Sequence, residues 1–287
     1  MQLKSAMMLR TLINRYHQGT PESLLGGLPE EESRAVLEKF NTSSDVTAVM
    51  SLMNDLAVEK VHYSWLLPTI ETFSRQMQPL LISALPESQS QAICKLMEKP
   101  NRPPPSPPVK KFLLGLLYRK FNHRSILPLS FLPESNLSIL ATLSKVQLIE
   151  LIDFLGLFDL AQEIKHIVEK VKLNAIYACL SAKKQNYLRV CLHQKEKLKG
   201  ERLDLSSWRG NRWQLERLLH RRGILRLSCA LAGQPRDFVW HIIHRLDVGR
   251  GHLLGKYFSS KEIQGITPFL IQQCLNTLNY LKKTSQQ

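Results

Sequence analysis

The sequence predicts an all-α protein, two helical domains built of short packed helices. Three observations carry that prediction. Apolar residues recur at helical spacing along nearly the whole chain, cap residues and prolines punctuate the periodic stretches, and no stretch alternates as a strand would. The pattern is densest in 223–258. There Ile224, Leu227, Ser228 and Leu231 fall at i, i+3, i+4 and i+7, before Gly233, which suits a left-handed helix end. A second helix restarts at Pro235, expected at N1, with Phe238, Val239, Ile242, Ile243 and Leu246 in one stripe. Gly249 and Gly251 are expected to loosen the next connection, and Leu253, Leu254, Tyr257 and Phe258 to bury a third helix. Helices this short are unstable alone and must pack together.

Taken in order, residues 1–18 read as a helix with Leu3, Met7, Met8, Leu12 and Tyr16 on one side. Thr20-Pro21 caps and opens a helix through Leu25. Leu28-Pro29-Glu30 restarts the chain with acids in the first turn, ahead of Ala35, Val36 and Phe40. Asn41 to Asp45 is a polar turn, followed by a helix bearing Val46, Val49, Met50, Met53 and Leu56. The phrase Leu24-x-x-x-Leu28-Pro29-Glu30 returns as Leu81-x-x-x-Leu85-Pro86-Glu87, 57 residues later. Two copies fit an armadillo-like pair of helical units, or coincidence, since proline is common at N1.

Residues 99–108, KPNRPPPSPP, form the one low-complexity segment. Consecutive prolines favour a stiff extended spacer, so the expected organisation is an N-terminal domain 1–98, a linker 99–108 and a basic C-terminal domain 109–287. The linker also holds PxxP spacing, the minimal ligand pattern of SH3-type modules. Beyond it come an apolar helix with basic ends, Lys110 to Phe121, and a capping box, Ser144-x-x-Gln147, opening the helix of Leu148, Ile149, Leu151 and Ile152. Gly156 is read as a break, with Asp159 to Val171 resuming the helix. Leu173 to Leu180 and Asn186 to Lys197 continue as helices, Lys195 to Trp208 is a charged connection, and Ser259-x-x-Glu262 is read as the box that starts the last helix.

At 287 residues, with 44% hydrophobic and 22% charged residues, the composition is that of a globular protein. No apolar run reaches the roughly 18–20 residues that span a bilayer, and the start lacks the apolar core of a secretory signal. The five cysteines stand singly, without CxxC, as free thiols in a reducing compartment do, which places the chain in the cytoplasm. The net charge of +15 is unevenly spread: residues 1–98 carry −3 and the remainder +18, of which 182–256 hold +11. Such a field attracts acidic proteins, nucleic acid or an anionic membrane surface.

Three constellations invite chemistry. His241-x-x-His244, near Cys229 and His252, has metal-ligand residue types but no HExxH glutamate and no fourth ligand; the plainer reading leaves His241 exposed and His244 against Trp240. No metal and no cofactor is expected. Arg209, Arg212, Arg217, Arg221, Arg222 and Arg226 line a helix and its approach, as a nucleic-acid-binding helix or a protein-docking face would. No phosphate-binding glycine loop, GxSxG or dinucleotide fingerprint occurs, so an enzyme is not expected.

The order of features in the C-terminal part resembles the C-terminal domain of the flagellar motor switch protein FliG. Trp213 to Leu219 would be the entering helix, Leu225 to Gly233 a leucine-rich short helix, and Ser259 to Leu281 the closing helix, giving a module of about 212–281. The acidic pair that faces the stator in that family falls here near Lys256 and Tyr257, and the middle-domain glutamate-histidine-proline-glutamine phrase is missing. The resemblance therefore implies the scaffold without the motor. It points to a non-enzymatic adaptor of a bacterial type III secretion or flagellar-type basal body, cytoplasmic and peripheral to the inner membrane, with ring-forming oligomers among the implied assemblies. Arg212, Arg217, Arg221 and Arg222 would steer acidic protein subunits, and Trp240 would anchor them unless it packs in the core. The alternative is a basic helical nucleic-acid-binding adaptor.

Overall fold

In the computed structural model the described residues are 9, 13, 25–38, 58–100, 102–122, 126–129, 132–194 and 203–285. The expected helices over 1–18, at Thr20-Pro21 and over 46–56 lie almost wholly outside them. Among the described residues the protein is all-helical, with no strand, and the chain divides into two compact units at Pro133–Glu134.

The N-terminal unit contains α1 (Glu30–Glu38), α2 (Tyr63–Glu71), α3 (Met77–Ala84), α4 (Glu87–Met97) and α5 (Pro107–Phe121). The repeated Leu-Pro-Glu phrase has one backbone geometry in both copies. The Leu28 N–H donates to the Leu25 carbonyl and the Leu85 N–H to that of Ile82; Ser33 and Ser90 donate to Pro29 and Pro86 at 3.0 and 2.9 Å. Each proline thus accepts the first helical bond while lacking an N–H to lose. Gln89 then threads back, its Nε2 donating to the carbonyls of Glu59 and Val61 at 2.9 and 2.6 Å.

Residues 102–106 of the proline stretch form no helix, but the stretch does not mark the division between the units. Pro107 and Pro108 occupy the first turn of α5, which packs on α2 and α3 through Leu113, Leu114, Leu117 and Tyr118. Lys110 Nζ lies 2.8 Å from Glu59 Oε1, and Lys99 Nζ binds Gln78. The apolar stripe behind the prolines decides which unit the helix joins.

The C-terminal unit is organised around α6 (Lys145–Ile164), opened by the expected capping box: Gln147 N–H to Ser144 Oγ at 3.2 Å and Ser144 N–H to Gln147 Oε1 at 2.8 Å. Apolar almost all round, α6 buries Leu148, Leu151, Ile152, Phe154, Leu155, Leu157, Phe158 and Leu160. After it come α7 (Lys170–Cys179), α8 (Ala182–Leu192), α9 (Arg212–Ala230), α10 (Arg236–Arg245), α11 (Val248–Tyr257) and α12 (Thr267–Ser285); α8, α9 and α12 pack on α6, α11 packs on α9, and α10 packs on α11. A 3-10 turn, Ser138–Thr142, meets α10.

Several expected boundaries move. Gly156 does not break α6. It is where α9 crosses most closely, since a Cβ there would sit 2.1 Å from the Leu219 carbonyl oxygen, and one at Gly223 1.8 Å from that of Ile152. The helix does end at Ile164, and Val168 and Val171 are 95% and 83% exposed, so they are not the core positions the periodicity implied. The entering helix and the leucine-rich helix are one element, α9, with Gly233 in the left-handed conformation after it. Pro235 is the N-cap of α10 and not its N1, and Gly249 and Gly251 lie inside α11, whose first turn is capped by Asp247 accepting from Arg250 N–H. The last helix starts at Thr267: Ser259 Oγ accepts from Lys261 N–H in a local turn, while Thr267 Oγ1 accepts from Ile263 N–H and donates to the Cys229 carbonyl. Within the expected charged connection, Leu203, Leu205 and Trp208 are buried.

Candidate docking surface

Helix α9 sorts its arginines by face. Leu215, Leu219, Gly223 and Leu227 turn inward onto α6. On the same inward arc, Arg226 is 2% exposed and grips Asp159 with two hydrogen bonds of 3.0 Å, Nε to Oδ2 and Nη2 to Oδ1. Its Nη1 donates to Gln273 Oε1 at 2.8 Å, and its guanidinium lies 5.4 Å from the Phe158 ring centre. Arg222 Nη2 adds a 3.2 Å bond to Asp159. Burial alone would raise the Asp159 carboxyl, but the bonds and charge of Arg226 and Arg222 outweigh it and hold the carboxyl below its usual range. Arg222, expected to steer partners, is thus part of the internal clamp between α9 and α6.

A second polar link crosses the same helices. Arg250 Nε can only donate, and it meets His220 Nε2 at 2.8 Å; His220 Nδ1–H therefore donates to Asp153 Oδ1 at 2.6 Å. Lys184 Nζ sits 3.1 Å from the other Asp153 oxygen. Desolvation pushes the Asp153 carboxyl up, yet His220 and Lys184 bring it below its usual range. An Asp–His pair is half of a hydrolytic relay, but its outer nitrogen is committed to Arg250, so the arrangement ties α6, α9 and α11 together.

The outer arc of α9 is different. Trp213, Arg217 and Arg221 follow at i, i+4 and i+8 and are all exposed, Trp213 at 66%. The Arg217 guanidinium lies 5.4 Å from the Trp213 ring centre. Arg212, also exposed, pairs with Glu216 at 3.0 Å off this stripe. The structure therefore groups Arg217 and Arg221 on one surface, places Arg212 beside it with its charge balanced, and removes Arg222. Trp213 was missed as an aromatic anchor, although its spacing to Arg217 and Arg221 was a readable signal.

Trp240 stands elsewhere, half-buried on α10, in a cleft of about 360 Å³ with Val239, Ile243, Phe258, Arg236 and Ser260. Its ring stacks on His244, centroids 4.1 Å apart, and His244 Nδ1–H donates to the Trp240 carbonyl at 2.8 Å. Burial lowers the His244 pKa from 6.5 to about 4, so the ring is neutral near pH 7. His241 is buried and not exposed as expected. Among the described residues no group of three or more His, Cys, Asp or Glu side chains is placed to share a metal ion, and no helix is long and apolar enough to cross a membrane.

Comparison with protein-family models, curated proteins and solved structures found no match.

Proposed function

We propose that the chain is a non-enzymatic adaptor that docks acidic protein partners on the outer face of α9, as a structural subunit of a bacterial type III secretion or flagellar-type basal body at the cytoplasmic face of the inner membrane. The observation that carries the docking reading is the exposed Trp213–Arg217–Arg221 stripe on a helix whose opposite face is clamped by Arg222, Arg226 and Asp159. Tryptophan and arginine are the residues that dominate protein interfaces, and a rigid helix presents them at little entropic cost. The secretion setting rests on the resemblance to the FliG family read in the sequence and on the basic C-terminal charge; the single helix α9, in place of an entering and a separate leucine-rich helix, departs from that order.

A nucleic-acid-binding adaptor is the second reading, favoured by the same arginine beside an indole, which can stack a base. Charge counts against it: with Arg212 paired and Arg222 and Arg226 turned inward, the stripe offers two guanidinium groups. Tight duplex binders neutralise about 6–10 phosphates.

The test is affinity purification of the full chain from its native cells, as wild type and as the Arg217→Glu/Arg221→Glu variant. The expected result is recovery of secretion or basal-body subunits with the wild type alone. Recovery of ribosomes or RNA-processing proteins, with anisotropy titrations showing tight RNA or duplex DNA binding at physiological salt, would replace this reading with the second one.

A further inference from the structure

The C-terminal unit holds a second concave surface, separate in residues from the α9 stripe. The cleft between α10 and α11 is lined by the apolar Val239, Trp240, Ile243 and Phe258 together with Arg236 and Ser260. Its volume of about 360 Å³ suits a few large side chains. Ser228 Oγ donates to the Leu254 carbonyl at 3.1 Å, tying α11 to α9, and Gly233 N–H donates to the Ser259 carbonyl at 3.2 Å, holding the segment that carries Ser260. The Trp240 ring is held by its stack on His244. Segments next to the lining are thus tied to the rest of the unit, which lowers the ordering cost of binding.

Its charge names the occupant. The lining has one guanidinium, Arg236, and no carboxylate; Asp237 and Glu262, the nearest acids in sequence, do not line it. Exposed Lys256 and Lys261 follow the lining residues Gly255 and Ser260 in sequence. An apolar lining with a single guanidinium and no carboxylate complements a peptide that combines a large aliphatic or aromatic side chain with a neighbouring carboxylate. We propose that this cleft binds such an acidic–apolar peptide segment of a partner protein, the apolar side chain over Trp240 and Phe258 and the carboxylate on Arg236. This rests on the docking reading above and gives the C-terminal unit a second, independent contact.

The test pans a random-peptide phage library against the full chain and measures enriched, fluorescein-labelled peptides by anisotropy. Exposed Arg236→Glu and Ser260→Glu variants leave the apolar lining intact, and circular dichroism checks their folding. The expected result is enrichment of peptides pairing Leu, Ile, Phe or Trp with Asp or Glu. Each variant should weaken them about tenfold, as should replacing the peptide carboxylates by amides. Arg217→Glu/Arg221→Glu should leave their affinity unchanged. Failure to enrich such peptides, or peptides indifferent to both cleft variants, overturns the inference. Retention of the partner by the Arg217→Glu/Arg221→Glu variant in the purification experiment, with cleft binding intact, instead strikes the α9 reading alone.

Discussion

Replacing Gly223 by alanine tests the helix crossing on which the C-terminal unit is built. The added methyl would lie 1.8 Å from the Ile152 carbonyl oxygen, about 1.6 Å short of the 3.4 Å at which ordinary contact begins. The obstacle is backbone, so no rotamer change relieves it, and α6 and α9 must separate along a buried seam. Overpacking of this kind costs about 3 kcal/mol, and the better helix propensity of alanine returns about 1 kcal/mol. A net loss of about 2 kcal/mol lowers Tm by about 4–8 °C at about 2–4 °C per kcal/mol. Gly255→Ala is the control. It lies within α11, where an added Cβ meets only Ile243 Cδ1 at 3.5 Å, and should raise Tm by a few degrees through propensity alone. Thermal unfolding followed by circular dichroism reads both variants. If Gly223→Ala is as stabilising as Gly255→Ala, the close crossing is not there and the reasoning fails.

Two further outcomes follow from buried charge. Arg226→Met leaves Asp159 with Arg222 alone in a buried site and should cost about 3–5 kcal/mol in urea unfolding. Adding Asp159→Leu should restore much of that loss; a single variant within about 1 kcal/mol of wild type would contradict the clamp. His244 sets a pH dependence: its folded pKa near 4 lies below its ordinary 6.5, so between those values the unfolded chain binds a proton that the folded chain refuses. Stability from this group should fall as pH drops from 6.5 towards 4, by up to about 1.4 kcal/mol per pH unit. His244→Gln should flatten Tm against pH in that window, and parallel curves would refute the assignment. The depressed carboxyls of Asp153 and Asp159 act lower, their contribution being present above 3.8 and lost below it.

The helices were legible where local chemistry decides. Ser144 and Gln147 closed their capping box, and the two Leu-Pro-Glu phrases gave the same backbone bonds, because caps and prolines act within one turn. Tertiary contacts were not legible in the same way. Gly156 and Gly249 read as breaks, yet both continue helices, Gly156 because only a bare Cα fits against Leu219. The arginines of α9 looked alike as a row, but a partner 63 or 67 positions away, Asp159, turns Arg222 and Arg226 inward. That leaves Arg217 and Arg221 beside Trp213, which sequence reading passed over in favour of the half-buried Trp240.

The docking claim is tested most directly by site-specific photocrosslinking in the native cell, with benzoylphenylalanine at Arg221 on the outer face of α9 and, as a control, at the buried Leu219 on its inner face. A discrete crosslinked protein from Arg221, absent from Leu219 and lost when Trp213 and Arg217 are also replaced by Ala and Glu, is the expected result. Crosslinking of Arg221 to RNA, or to no macromolecule while the protein remains folded, would contradict the account.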